Sequence, residues 1–318
     1  MELPDLEPMK VGEIVRRSFR LYGANFLRFL GIVAVAHIPH AAMRMPYVLY
    51  RAAEKAGQEG EKAESWEFPL LEMPQIVLLC VLSTLVWFVI SAAIFASVTK
   101  NLLGDGIGLG EAYRLVWARI KTVLVASVLW TLCIVLPFWI VSLVGLVSIP
   151  AVRGAESASK WVYILPCFVF VVLAAWGVVA LLMIVWFSLT PECIMAEGRS
   201  AWQSMKRSKM LVKGNVWRVL GLWVVLGGIS LAVSWIAGWG GDVFLKTLSG
   251  GSITNAAALS HLRYTLVYTV LGPWSLVAGS LLFYDLRARK KKFEFELKDA
   301  SKRLGQVKLE TKDYDLIG

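Results

Sequence analysis

Residues 17–31 read RSFRLYGANFLRFLG, and residues 207–221 read RSKMLVKGNVWRVLG. The two stretches lie 190 positions apart and align without a gap at seven of fifteen places: Arg17/Arg207, Ser18/Ser208, Leu21/Leu211, Asn25/Asn215, Arg28/Arg218, Leu30/Leu220 and Gly31/Gly221. Each is a basic segment that leads into a long apolar run. Ahead of the first run, Ile14, Val15, Ser18, Phe19, Leu21 and Tyr22 fall on one helical face, with Glu13, Arg16, Arg17 and Arg20 largely opposite. Ahead of the second, Trp202, Met205, Leu211 and Val212 oppose Lys206, Arg207, Lys209 and Lys213. That periodicity with a basic polar face predicts a helix in the membrane interface. Asn25 and Asn215 stand where the apolar runs begin, and asparagine is a favourable helix N-cap.

A fainter third copy lies 98 positions after the first, where Gly110, Glu111 and Arg114 match Gly12, Glu13 and Arg16. The repeating unit is then an interfacial helix followed by a two-span hairpin, in units at approximately 10–100, 108–190 and 199–285. Two spans per unit keep all copies in one orientation, unlike the inverted repeats of many transporters. The whole chain, 1–318, reads as one membrane domain with a basic cytoplasmic tail at 286–318.

Hydrophobic residues make up 57% of the chain and charged residues 18%. Soluble domains carry about 25% charged residues. The apolar excess is gathered into six runs, 26–50, 74–98, 123–149, 161–189, 216–244 and 256–283, each long enough for the roughly 20 residues that a span needs. His37, Pro39, His40, Arg44 and Pro46 interrupt the first. The expected fold is all-α: a polytopic integral membrane helical bundle of six transmembrane helices plus interfacial amphipathic helices, with internal repeats. The first ten residues are acidic and contain proline, unlike a cleaved leader, so the first span is expected to serve as the insertion signal.

Lysine and arginine in short loops orient such a bundle. With the N-terminus inside, the inner segments hold 25 Lys+Arg and the outer ones 8. The expectation is therefore a multi-pass plasma (inner) membrane protein with both termini cytoplasmic. The net charge of +10 is gathered on the inner side, which points to anionic lipid as partner and argues against nucleic acid. Arg287, Arg289, Lys290, Lys291 and Lys292 form a juxtamembrane cluster. Arg17 and Arg207 recur in register, and arginine offers a planar fork for phosphate or carboxylate. These seven residues are the candidate lipid- or partner-binding set, with Glu197 and Asp285 as alternative carboxylate partners for the repeated arginines.

Other features carry less chemistry. The loop Gly104-Asp105-Gly106-Ile107-Gly108-Leu109-Gly110 lacks the strand and the following unit of a nucleotide fingerprint, and reads as a turn into a helix. The four cysteines show no paired or metal-ligand spacing. His37 and His40 are three apart, with no carboxylate in the same run and Pro39 between them, so packing is the expected role. His261 and Arg263 read as interface anchors, and Gly272-Pro273 as a kink. Gly228/Ala232 and Ser230/Ser234/Gly238 recur every four residues and suit close helix packing. Six glutamates between Arg51 and Met73 read as a solvated outer loop.

Three stretches resemble a known family. Pro191-Glu192-Cys193-Ile194-Met195-Ala196-Glu197-Gly198 followed by MKRSKMLVKGNVWRVLG, the opening VGEIVRRSFRLYGANF, and Leu282-Phe283-Tyr284-Asp285-Leu286-Arg287-Ala288-Arg289-Lys290 are similar to the membrane domain of the glycerophosphoryl diester phosphodiesterase family. The tail departs from that pattern at Lys291-Lys292-Phe293-Glu294-Phe295-Glu296, which is more basic. The resemblance implies a multi-span module that often stands without a catalytic domain. The expected function is a non-enzymatic, cofactor-free scaffold or accessory module that binds lipid or a membrane protein partner. The alternative is a transporter or channel for a lipid-related or small solute.

Overall fold

The computed structural model of the chain describes residues 7–58, 73–104, 106, 108–134, 137, 161–248 and 253–314. Among them all regular structure is helical. Helix α1 (Val11–Ala24) is followed by α2 (Phe26–Gln58), α3 (Met73–Leu102) and α4 (Leu109–Trp117). Then come α5 (Ile120–Ile134), α6 (Trp161–Phe187), α7 (Thr190–Glu197), α8 (Ala201–Val212), α9 (Val216–Leu248) and α10 (Ile253–Tyr314). Five stretches are long and apolar enough to cross a membrane: Phe26–Glu54, Val77–Leu102, Ala174–Glu197, Val216–Gly238 and Asn255–Lys291. The bent pair α4–α5, which turns by 74°, makes a sixth when counted as one span. The protein is a multi-pass helical membrane protein. The expected third span, 123–149, lies mostly outside the described residues, as does the glutamate-rich loop.

At each of the three basic segments a short helix ends in a break, and a longer helix starts within three residues. The breaks fall at Asn25, at Ala118-Arg119 and at Lys213-Gly214-Asn215. Gly214 takes φ +89°, a conformation open to glycine and strained for other residues. Backbone carbonyls of Asn25 and Asn215 accept the first helical N–H groups of α2 and α9, from Arg28 and Phe29 and from Arg218 and Val219.

Proline breaks less than its position suggests. Helix α2 runs through Pro39 and Pro46, and α10 runs through Gly272–Pro273, without leaving the helix. In a bundle, neighbouring helices and side-chain hydroxyls re-satisfy the carbonyl that proline releases. The residues after Asp285, read from composition as a basic tail, continue α10 to Tyr314.

The core sits in one half of the bundle. On α3 the buried run is Phe88 and Ile90 to Thr99; on α10 it is Trp274 and Leu276 to Leu286, with Gly279 enclosed among them. Leu189, Cys193, Ile194 and Leu211 belong to the same packed cluster. Ala92, Ala93 and Ala96 of α3, with Ala278 and Ser280 of α10, let the backbones approach closely. Phe95 meets Phe283 edge-on at 5.3 Å and stacks on Tyr284 at 5.7 Å. The other half is looser: Val224, Leu231, Trp235 and Ile236 of α9 are exposed, as befits a lipid-facing surface. Gly228 lies on that face with open space where a Cβ would stand.

Candidate functional site

A polar hub closes the tightly packed end. The Asp285 carboxylate is fully buried and accepts from three donors: Arg218 Nε at 2.8 Å, the Met9 backbone N–H at 2.7 Å and Arg289 Nε at 3.2 Å. The same two arginines donate to the Met9 carbonyl, Arg289 Nη2 at 2.9 Å and Arg218 Nη2 more closely. The segment before α1 is thereby clamped between α9 and α10. A buried carboxylate with two guanidinium partners and a backbone donor is a satisfied charge. Nearby, Arg119 donates to the Ile194 carbonyl at the C-terminus of α7, where cations are favoured. Gly198 caps that helix at φ +66°, and a Cβ at this position would stand about 3 Å from the same guanidinium.

The seven residues singled out from sequence are dispersed by these pairings. Arg207 pairs with Glu197 at 2.8 Å, and Arg199 shares that carboxylate at 2.7 Å. Arg17 pairs with Glu13 of its own helix at 2.9 Å and is half exposed. Arg289 belongs to the Asp285 hub. Arg287 and Lys290 are half-buried and Lys291 is exposed at the same end. Lys292 lies on α10, and its side chain is outside what the structure describes.

Register in the repeat carries a different pair. Ser18 and Ser208 are both fully buried. Ser18 Oγ donates to Val15 O at 2.8 Å and accepts from Trp274 Nε1 at 3.0 Å. Ser208 Oγ donates to Trp186 O at 2.7 Å and accepts from the Leu189 N–H at 3.2 Å. Each repeated serine thus fastens a short basic helix to a neighbouring helix of the bundle. Tyr22 adds a bond from its hydroxyl to Val270 O at 2.5 Å, and burial pushes that phenol up to about 12.

Two cavities lie beyond the core, with Trp87 on the wall of both. The first, about 290 Å³ and open on one side, is lined by Trp87 of α3, Trp130 of α5, Leu181 and Ile184 of α6, and Leu220 and Trp223 of α9. Its lining is apolar. Behind it, Trp130 Nε1, Trp223 Nε1 and Glu192 Oε2 are buried without hydrogen-bond partners. Glu192 Oε1 accepts from Ser91 at 3.1 Å.

The second cavity, about 160 Å³, is polar and lies between α2, α3 and α10. It gathers what the sequence kept apart. His37 Nδ1 is 3.1 Å from Thr269 Oγ1, whose hydrogen already goes to Thr265 O at 2.7 Å. His40 Nε2 is 3.1 Å from Ser83 Oγ, whose hydrogen goes to Leu79 O at 2.6 Å. Both hydroxyls therefore accept, and the imidazoles donate: His37 through Nδ1 and His40 through Nε2. His261 Nε2 donates to Ala41 O at 2.9 Å. The expected packing role for His37 and His40 thus comes with fixed tautomers, and His261 sits inside the bundle against α2. Among the described residues no group of three His, Cys, Asp or Glu side chains has metal-binding geometry. Arg44 lines the same cavity, and its Nε is buried without a partner.

The family model described as a domain of unknown function (DUF7847) matches residues 109–283, from the first residue of α4 to two residues before Asp285. No curated protein and no solved structure matches the chain.

Proposed function

We propose that this chain, which belongs to the DUF7847 family, is a non-enzymatic module of the plasma (inner) membrane that holds a lipid within its bundle as a scaffold or accessory. The apolar cavity walled by Trp87, Trp130 and Trp223 carries this reading. A dry cavity has no use for water, because it offers none of the polar partners that a buried water needs. At span depth the available filler is an acyl chain. The resemblance to the membrane domain of the glycerophosphoryl diester phosphodiesterase family supports a module of this kind. The charge bias supports a cytoplasmic Asp285 end, which would turn Arg287, Lys290 and Lys291 toward anionic lipid.

The test is native mass spectrometry after exchange into a mild detergent. Wild type is expected to retain lipid, and Ile184→Trp, which fills the cavity, to lose it. Equal retention by both would refute the cavity as the site. A second reading, a carrier of a lipid-related solute, is favoured by the polar cavity that holds His37, His40 and Arg44 within the bundle. Uptake of solute into proteoliposomes would separate it from the first.

A further inference from the structure

We propose that the seam between α2, α3 and α10 is a binding site for a phosphate group, anchored by Arg44. The inference begins with an uncompensated cation. Arg44 lies at the polar cavity with its Nε buried and unpartnered, and among the described residues no carboxylate stands within ion-pair distance of it. Two turns further along α2, Arg51 pairs with Glu54 at 2.7 Å. Arginine within a span pairs with another group or marks a pathway. The guanidinium is a planar fork that suits phosphate oxygens.

The surroundings fit that ligand. The lining residues His37, His40, Ser83, Tyr264 and Tyr268 include no acid that would repel an anion. His37 and His40 are each held by one ring nitrogen, which leaves His37 Nε2 and His40 Nδ1 uncommitted for a phosphate oxygen or its proton. At about 160 Å³ the space falls below the roughly 300–1,000 Å³ of drug-sized ligand pockets, so it accepts a headgroup and not a nucleotide.

Arg44 stands 18 residues after Phe26, or about 27 Å along the helix at 1.5 Å per residue. The hydrocarbon core is about 30 Å thick, so Arg44 sits close to the phosphate level of the leaflet opposite the Asp285 hub. A groove of about 490 Å³ continues along the same two helices, between Met43, Tyr47 and Tyr50 of α2 and Leu78 and Leu79 of α3. It provides an apolar bed beside the charged anchor. The phosphate can belong to a lipid or be free in solution, and the chemistry at Arg44 is the same.

Full-length protein in a phosphate-free maltoside detergent is titrated with inorganic phosphate and, separately, with dihexanoyl phosphatidic acid, following the melting temperature and the dissociation constant. Wild type is expected to be stabilised by at least one probe. Arg44→Gln is expected to weaken binding about tenfold or more, and Arg44→Lys to fall between, since it keeps the charge and loses the fork. Binding of the phosphatidic acid alone assigns the site to a headgroup; equal binding of both assigns it to a soluble anion, and either supports the site. Ile184→Trp is expected to bind both probes as wild type does, which keeps this result separate from the apolar cavity. No shift of wild type with either probe, or unchanged binding by Arg44→Gln, overturns the proposal. If Arg44→Gln does not fold, wild type and Arg44→Lys decide.

Discussion

Replacing Asp285 with alanine should open the packed end of the bundle. The carboxylate is fully buried and takes three hydrogen bonds, at 2.7 Å from Met9 N–H, 2.8 Å from Arg218 and 3.2 Å from Arg289. Its loss leaves two guanidinium groups facing each other across the Met9 carbonyl. Breaking a fully buried ion pair by removing one partner costs about 3–5 kcal/mol. The Arg218 and Arg289 side chains are 19% and 34% exposed, so water recovers part of that. An expected loss of about 2–3 kcal/mol remains, worth about 4–8 °C in melting temperature. Asp285→Asn keeps an acceptor for Met9 N–H and removes the charge, so it should lose most of the same stability. The assays are thermal melting in detergent and limited trypsin digestion. Because Met9 is held on both its N–H and its carbonyl, Asp285→Ala should expose Lys10 to cleavage before the bundle melts. A variant that melts within about 1 °C of wild type and still resists cleavage at Lys10 would refute this account of the hub.

Ser18→Ala leaves Trp274 Nε1 without its partner and Ser208→Ala leaves Leu189 N–H without its own; each should destabilise by about 1–3 kcal/mol, and Ser→Cys should lose nearly as much because sulfur is a weak acceptor. Gly198→Ala meets both the positive φ and the Arg119 guanidinium, so it should cost about 1 kcal/mol or more, with Arg119→Ala relieving part of it in a double-mutant cycle. Single cysteines at Ser65 and Ser301, in a cysteine-free background, should label from opposite sides of the membrane, with Ser65 outside. Labelling of both from one side would overturn the orientation drawn from the charge bias.

The helical runs and two of the three breaks were legible because they depend on local pattern: apolar length, and asparagine or glycine at Asn25 and at Gly214-Asn215 where a short helix gives way to a long one. The cost of a proline in a span is set by neighbours that the linear pattern does not name. His261 could not be brought to Ala41 by any local signal, as they are 220 positions apart and meet only through helix packing. The repeat alignment contained Ser18 and Ser208, but arginine drew the reading because its charge is conspicuous. A small hydroxyl declares its role only when its partner is seen. Arg28 and Arg218 align as well, yet Arg218 binds Asp285 while Arg28 lies against Gly106. The two aligned arginines therefore have different surroundings.

The bond from Met9 to Asp285 spans 276 positions, and it has a consequence for biogenesis. A ribosome adds about 5–20 residues per second, so synthesis of the partner trails the start of the chain by about 15–55 s. Through that interval the earliest helices are already in the bilayer while the last one is unmade. A nascent form that includes α9 but ends before α10 carries an unclamped Arg218 and an open seam along α2. Closure of the bundle at Met9 therefore waits on the synthesis of α10.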